Sequence, residues 1–219
     1  MLYEQQRREI IDVCRRMSAE GMTPGLSGNI SIRVGDHVVI TPSGLPYDAL
    51  VPEQLCIVDL DGSVVEADAH AAGGRPVRPS TEVPMHTLIY RHSDAAAIVH
   101  AHPLHATALG TLVDETPAVH YMLASFGGPV RVAPYARFGT DELAENVRVA
   151  MAGRSAVLLR NHGLTCWADT LSKAYDKALQ LEWACELALL TMSAGRPTLL
   201  STEQVDEVAR EMKRTGYGA

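Results

Sequence analysis

An uninterrupted apolar run, Ala95-Ala96-Ala97-Ile98-Val99, passes directly into His100-Ala101-His102. Such a run predicts a buried strand. Alternate side chains of a strand point to opposite faces, so His100 and His102 share one face and Ala101 takes the other. Two imidazoles placed this way, roughly 6–7 Å apart along the strand, can grip one cation. A second apolar run, Ala156-Val157-Leu158-Leu159, leads into Arg160-Asn161-His162-Gly163. His162 is the preferred third ligand because it too ends a predicted strand, and Gly163 lets the backbone turn sharply there. His86, His92, His105 and His120 compete for that role. Three histidines with a fourth position open make a catalytic zinc site rather than a structural one. Without a metal, the same pair is simply a hydrogen-bonded polar strand end.

The rest of the chain supplies elements to surround such a strand. Residues 4–20 predict an amphipathic helix with Ile10, Val13, Cys14 and Met17 on one face, ended by Gly21. Asn29–Val34 alternates as a strand, with His37–Thr41 as its hairpin partner across Gly35-Asp36. A second hairpin joins Cys56–Leu60 to Val64–Glu66 through Asp61-Gly62. A loop rich in Ala, Gly, Pro and Arg covers residues 67–79. A helix then starts at Ser80 or Thr81, with Pro84 in its first turn. Val130–Ala133 predicts a short strand, and Thr140 caps a helix running to Ala152. A long helix follows over Leu171–Met192, and a short one begins at Ser201. Strands grouped as hairpins favour antiparallel pairing flanked by helices, and regular βαβ alternation is missing. The 219 residues and 47% hydrophobic content suit one domain spanning 1–219.

A net charge of −7 argues against binding a nucleic-acid backbone. No apolar stretch is long enough to cross a bilayer, and the polar N-terminus lacks the core of a signal peptide. Cys14, Cys56, Cys166 and Cys185 are scattered and form no C-x-x-C pair, which fits reduced thiols in a cytoplasmic protein.

Glu82 follows Ser80-Thr81 at the predicted helix start. One reading is a carboxylate favoured by the helix dipole. The sharper one notes that free N–H groups and hydroxyls at a helix start suit a phosphate, which places Glu82 between a phosphate site and a metal site, as a general base requires. Ser27-Gly28-Asn29 and Thr41-Pro42-Ser43-Gly44 offer donors of the same kind. Each alone is an ordinary turn, and the three together with a histidine site are more suggestive.

These segments carry a resemblance. Ser27-Gly28-Asn29, Thr41-Pro42-Ser43-Gly44, Ser80-Thr81-Glu82, His100-Ala101-His102, His120-Tyr121-Met122, Ala133–Thr140 and Asn161-His162-Gly163 follow the order and spacing of the class II aldolase/epimerase family over nearly the whole chain. The nearest match lies among members that cleave L-fuculose 1-phosphate. The resemblance implies a three-layer α/β/α fold around a mainly antiparallel sheet, and a homotetramer with active sites at subunit interfaces. It implies Zn2+, with Mn2+ or Co2+ as alternatives, held by His100, His102, His162 and, at rest, Glu82. Gly28, Asn29, Ser43, Gly44, Ser80 and Thr81 are then expected to bind a sugar phosphate. Glu82 is expected to be the acid/base, and Tyr121 to reach a neighbouring subunit's site. Phe138 and Tyr217 would line an aldehyde pocket, Tyr217 only with a shift of register, and Met212 would stand where the family has an aromatic wall. The 67–79 loop is longer than in these relatives. The implied reaction is retro-aldol cleavage of a ketose 1-phosphate. A 4-epimerase, a methylthioribulose-phosphate dehydratase and a phosphorylated keto-acid decarboxylase share the site. The epimerases carry Asp at the position of Glu82, so Glu82 favours an aldolase.

Overall fold

A computed structural model describes residues 1–67, 69–70 and 74–216. Strand β5 (Ala97–Ala101) is buried along its whole length, as the apolar run predicts. Its alternation divides the core in two. Ala97, Val99 and Ala101 join one apolar cluster and Ile98 joins the other. On the first side pack α1 (Glu4–Ala19), α3 (Leu104–Leu112) and α5 (Leu171–Ala194). On the second pack α2 (Val83–His92) and α4 (Asp141–Ala150). Each fully buried Ile or Leu in these layers contributes roughly 1.5–3 kcal/mol. The result is the expected three-layer α/β/α arrangement.

The sheet between the layers has eight strands in the order β4-β3-β2-β1-β5-β8-β7-β6. Strands β1 (Asn29–Val34) and β2 (His37–Ile40) form the expected hairpin, and Val34 pairs with His37 across Gly35-Asp36. The second hairpin, β3 (Cys56–Asp59) with β4 (Val64–Glu66), carries a register shift at Ile57/Val58. β1 also pairs with β5, and Asn29 stands opposite His100.

Several elements depart from expectation. Gly163–Ala168 is a strand, β8, between β5 and β7 (Ala156–Leu159). It does not alternate, because both of its faces are covered. The short α3 is likewise unmarked by a clear apolar stripe. β6 is only Val132–Ala133 and pairs parallel with β7, the one exception to antiparallel strand pairing among the described residues. Helix α4 makes the crossover that a parallel pair requires. Helix α2 begins at Val83, after Ser80 and Thr81, with Glu82 as its N-cap residue. Thr140 caps α4 as expected, Thr170 caps α5, and Ser201 opens α6 (Thr202–Thr215) with a capping box. Within the 67–79 loop, His70 pairs with Pro76, and Val77 N–H bonds to Ala69 O at 3.0 Å. Among the described residues, no helix is long and apolar enough to cross a membrane.

Candidate active site

His100, His102 and His162 come together at the end of β5. Their ring centroids are 4.8, 4.9 and 4.7 Å apart, taken pairwise. Among the described residues this is the one group of His, Cys, Asp or Glu side chains close enough to share a metal ion. His102 lies one residue past β5, and His162 lies in the turn joining β7 to β8. In that turn Asn161, not Gly163, takes the left-handed conformation, at φ 54°. Gly163 serves a different purpose: a Cβ there would stand 2.8 Å from His102 Cδ2, so glycine is what lets the turn approach β5.

His100 Nδ1 lies 2.9 Å from Leu164 O and 3.1 Å from Thr165 Oγ1. Donation to that carbonyl leaves Nε2 as a lone pair aimed into the cluster. His100 Nε2 is 2.8 Å from His102 Nε2 and 3.0 Å from Glu82 Oε2. Acceptors facing one another at these distances need positive charge between them. Burial pushes the His102 imidazole down to about 3 and that of His162 to about 4, so both offer neutral lone pairs at ordinary pH. Glu82 Oε1 is buried without a hydrogen bond and lies 3.6 Å from His162 Nε2. An orphaned carboxylate oxygen beside three imidazoles is the donor set a divalent cation accepts. The residues therefore fit a metal.

The competing histidines are occupied elsewhere. His86 bonds to Asn29 and Ser31, and His92 Nδ1 lies on Leu88 O. His105 pairs with Glu182, and His120 Nδ1 accepts the Met122 N–H.

Glu82 is tied to the sheet by Asn29, whose Nδ2 donates to Oε2 at 2.8 Å. Burial raises the Glu82 carboxyl, but positive charge within the histidine cluster and the hydrogen bond from Asn29 outweigh it and hold the group below the usual carboxylate range.

The three donor segments also meet. Ser80 N–H donates to Thr41 O at 3.1 Å, and Ser43 N–H donates to Arg78 O at 2.9 Å, so Thr41–Ser43 runs beside Arg78–Ser80. Thr41 Oγ1 accepts the Ile30 N–H at 3.2 Å, next to Asn29. Gly28, at φ 82°, sits where a Cβ would be 2.8 Å from His100 O. Ser43, Gly44 and Thr81 are exposed, whereas Ser80 is buried and its Oγ accepts the Glu82 N–H. Gly139 presses on Thr81, which puts the exposed Phe138 beside the same segment.

Tyr121 opens a 3-10 helix, Tyr121–Phe126, with its ring against His120 at 4.3 Å. Its hydroxyl makes no hydrogen bond among the described residues, and 46% of the residue is exposed. Met212 is half-buried and packs against the first apolar cluster. Tyr217 lies outside the described residues. Sequence reasoning missed Leu164 and Thr165, which orient His100, because it missed β8. It considered His86 only as a rival ligand.

Residues 8–189 match the family described as Class II Aldolase and Adducin N-terminal domain. A 5-deoxy-D-ribulose 1-phosphate aldolase of Bacillus thuringiensis serovar kurstaki is 38% identical, over 100% of this chain and 99% of its own. An L-fuculose phosphate aldolase of Escherichia coli K12 is 38% identical over 95% of this chain and 94% of its own. A solved structure of an L-fuculose 1-phosphate aldolase superimposes with a TM-score of 0.90 at 35% identity, covering 97% of this chain and 98% of that one.

Proposed function

Since this chain belongs to the class II aldolase family, we propose that it cleaves a ketose 1-phosphate between C3 and C4, with residues 1–219 acting as one catalytic unit. The products are dihydroxyacetone phosphate and a small aldehyde. L-fuculose 1-phosphate, yielding L-lactaldehyde, is the leading substrate, and 5-deoxy-D-ribulose 1-phosphate, named for one of the relatives, is a close analogue. The observation that carries this reading is Glu82, which is suspended between Asn29 and the histidine cluster and leaves one carboxylate oxygen unpaired.

His100, His102 and His162 would hold a divalent cation, zinc in this reading, with Glu82 able to complete the set. When bound, that cation supplies Lewis-acid stabilisation of the negative charge that develops on the ketose oxygens. Ser43, Gly44, Ser80 and Thr81, with Gly28 and Asn29 behind them, bind the phosphate with neutral N–H and hydroxyl donors and so fix C3 beside Glu82. Glu82 takes up a proton from solvent and delivers it to C3, where the C3–C4 electron pair is left. Tyr121 of a neighbouring subunit relays the C4 hydroxyl proton to solvent as the aldehyde leaves. Lysine chemistry is not needed: Lys173 pairs with Asp169 and Lys177 with Ser155, while Lys213 lies on α6.

The test is a panel of phosphorylated ketoses in a coupled assay for dihydroxyacetone phosphate, with and without chelator. The expected result is chelator-sensitive cleavage into two carbon fragments, and its loss in Glu82→Gln. Full activity in that variant removes Glu82 from the mechanism. A single product of unchanged carbon number, or release of CO2, assigns the chain to another reaction.

A further inference from the structure

His86 is the histidine that the metal cluster leaves out. It lies in the first turns of α2 and is completely buried. A buried imidazole is costly unless its nitrogens are paired, and both are. Nε2 lies 2.5 Å from Asn29 Oδ1, and Nδ1 lies 2.7 Å from Ser31 Oγ. Ser31 Oγ is in turn 2.8 Å from the Tyr90 hydroxyl, and Asn29 Nδ2 is 2.8 Å from Glu82 Oε2. Tyr90, Ser31, His86, Asn29 and Glu82, all buried, thus form one hydrogen-bonded chain from under the sheet to the carboxylate.

The chain has a direction. A carboxylate only accepts, so the Asn29 amide must turn its NH2 toward Glu82. The amide oxygen then faces His86 and requires a donor, which puts the imidazole proton on Nε2. Nδ1 is left to accept the Ser31 hydroxyl proton, and the Ser31 oxygen accepts that of Tyr90. Every donor points toward Glu82. Reversing any single member sets two acceptors or two donors face to face.

We infer that His86 is a positioning residue for the cleavage reaction: as a neutral Nε2–H tautomer held by Ser31 and Tyr90, it fixes the Asn29 amide, which in turn fixes Glu82. The inference rests on the acid/base reading of Glu82. The Asn29 bond holds Oε2, and Oε1 is thereby left free and turned toward the histidine cluster. Without a donor at position 86 the amide can flip, its oxygen then repels the carboxylate, and Glu82 loses its fixed orientation. Catalytic groups tolerate only about 0.5 Å of such displacement.

The test has two arms. In the 15N-labelled holoenzyme, the His86 imidazole is expected to be protonated at Nε2 and bare at Nδ1 at neutral pH. A proton on Nδ1 reverses the chain and overturns the proposal. In kinetics, His86→Leu, which fills the space without hydrogen bonding, is expected to lower kcat on the order of 10–100-fold. His86→Gln, which returns an N–H toward Asn29, is expected to recover most of that loss. Equal impairment of the two variants, or wild-type kcat in His86→Leu, overturns the proposal. If His86→Leu does not fold, the tautomer of the wild-type protein decides. Glu82→Gln is assayed beside them. If it stays active, the reading of Glu82 fails while the tautomer still reports on the chain. If it is inactive while folded His86→Leu turns over normally, only the positioning role fails.

Discussion

Gly163 and His102 approach so closely that a methyl group on Gly163 would stand 2.8 Å from His102 Cδ2, and closer still to the Ala101 carbonyl oxygen. The turn that carries His162 is pressed against the end of the strand that carries His100. Gly163→Ala must push the two apart, because the atoms it meets are backbone and a packed ring. The expected result is a loss of zinc affinity on the order of 10–100-fold, read by competition with a chromogenic chelator. Wild-type affinity in that variant would show that the approach does not set the ligand geometry.

The same contact shows what the sequence could and could not reveal. The strand ending in His100 and His102 was legible because a fully buried strand is a continuous apolar run. Its neighbour β8 was not, since Gly163-Leu-Thr-Cys-Trp-Ala lacks the period of either element and is identified only by its pairing with β5 and β7. The cluster of three histidines was therefore legible, while the Leu164 carbonyl that orients His100 was hidden. Glu82 was marked by its place after Ser80-Thr81. Its link to Asn29 spans 53 residues and depends on tertiary folding alone.

Burial pushes the His86 imidazole down to about 3 from an ordinary 6.5. Between those values the unfolded chain holds a proton that the folded chain does not. Stability from this group is therefore complete above the ordinary value and falls with pH below it, by up to about 1.4 kcal/mol per pH unit. His86→Gln does not titrate. Urea unfolding of metal-free protein from neutral to mildly acidic pH should show a shallower decline for the variant. Parallel curves would contradict the buried neutral imidazole.

All four cysteines are buried and free. Burial pushes every one of these thiols up, Cys56 and Cys166 to about 12. Only the thiolate reacts quickly with a disulfide reagent. Ellman's reagent should leave the native protein unlabelled at mildly alkaline pH and label all four thiols in guanidinium. Rapid labelling of any thiol in the native state would place it at the surface.

Arg7 is fully buried, yet its guanidinium is satisfied. It donates to Leu2 O at 2.8 Å, Pro52 O at 2.9 Å, Leu55 O at 2.6 Å and Glu66 Oε1 at 2.5 Å, tying α1 to the edge hairpin. Arg7→Ala leaves those acceptors bare and is expected to cost roughly 3–5 kcal/mol in urea unfolding. Arg7→Lys should recover little of this, because an ammonium cannot reproduce the fork. A cost near zero in Arg7→Ala would mean that water replaces the guanidinium.

Tyr121 lies with its ring on His120, which in turn meets Trp183 at 5.0 Å, and both Tyr121 and Trp183 are more than 40% exposed. An aromatic group left open in this way suits a face that a second subunit covers. If Tyr121 serves the neighbour's site, Tyr121→Phe should lower kcat by about 100-fold or more, because it removes one proton-transfer group. Glu82→Gln disables the other half of the chemistry in its own chain. Dissociating the two inactive variants and reassembling them together should then restore activity, since some mixed interfaces pair an intact Glu82 with an intact Tyr121. Mass spectrometry identifies the mixed oligomers. Their formation without recovered activity would return Tyr121 to its own chain or remove it from the reaction.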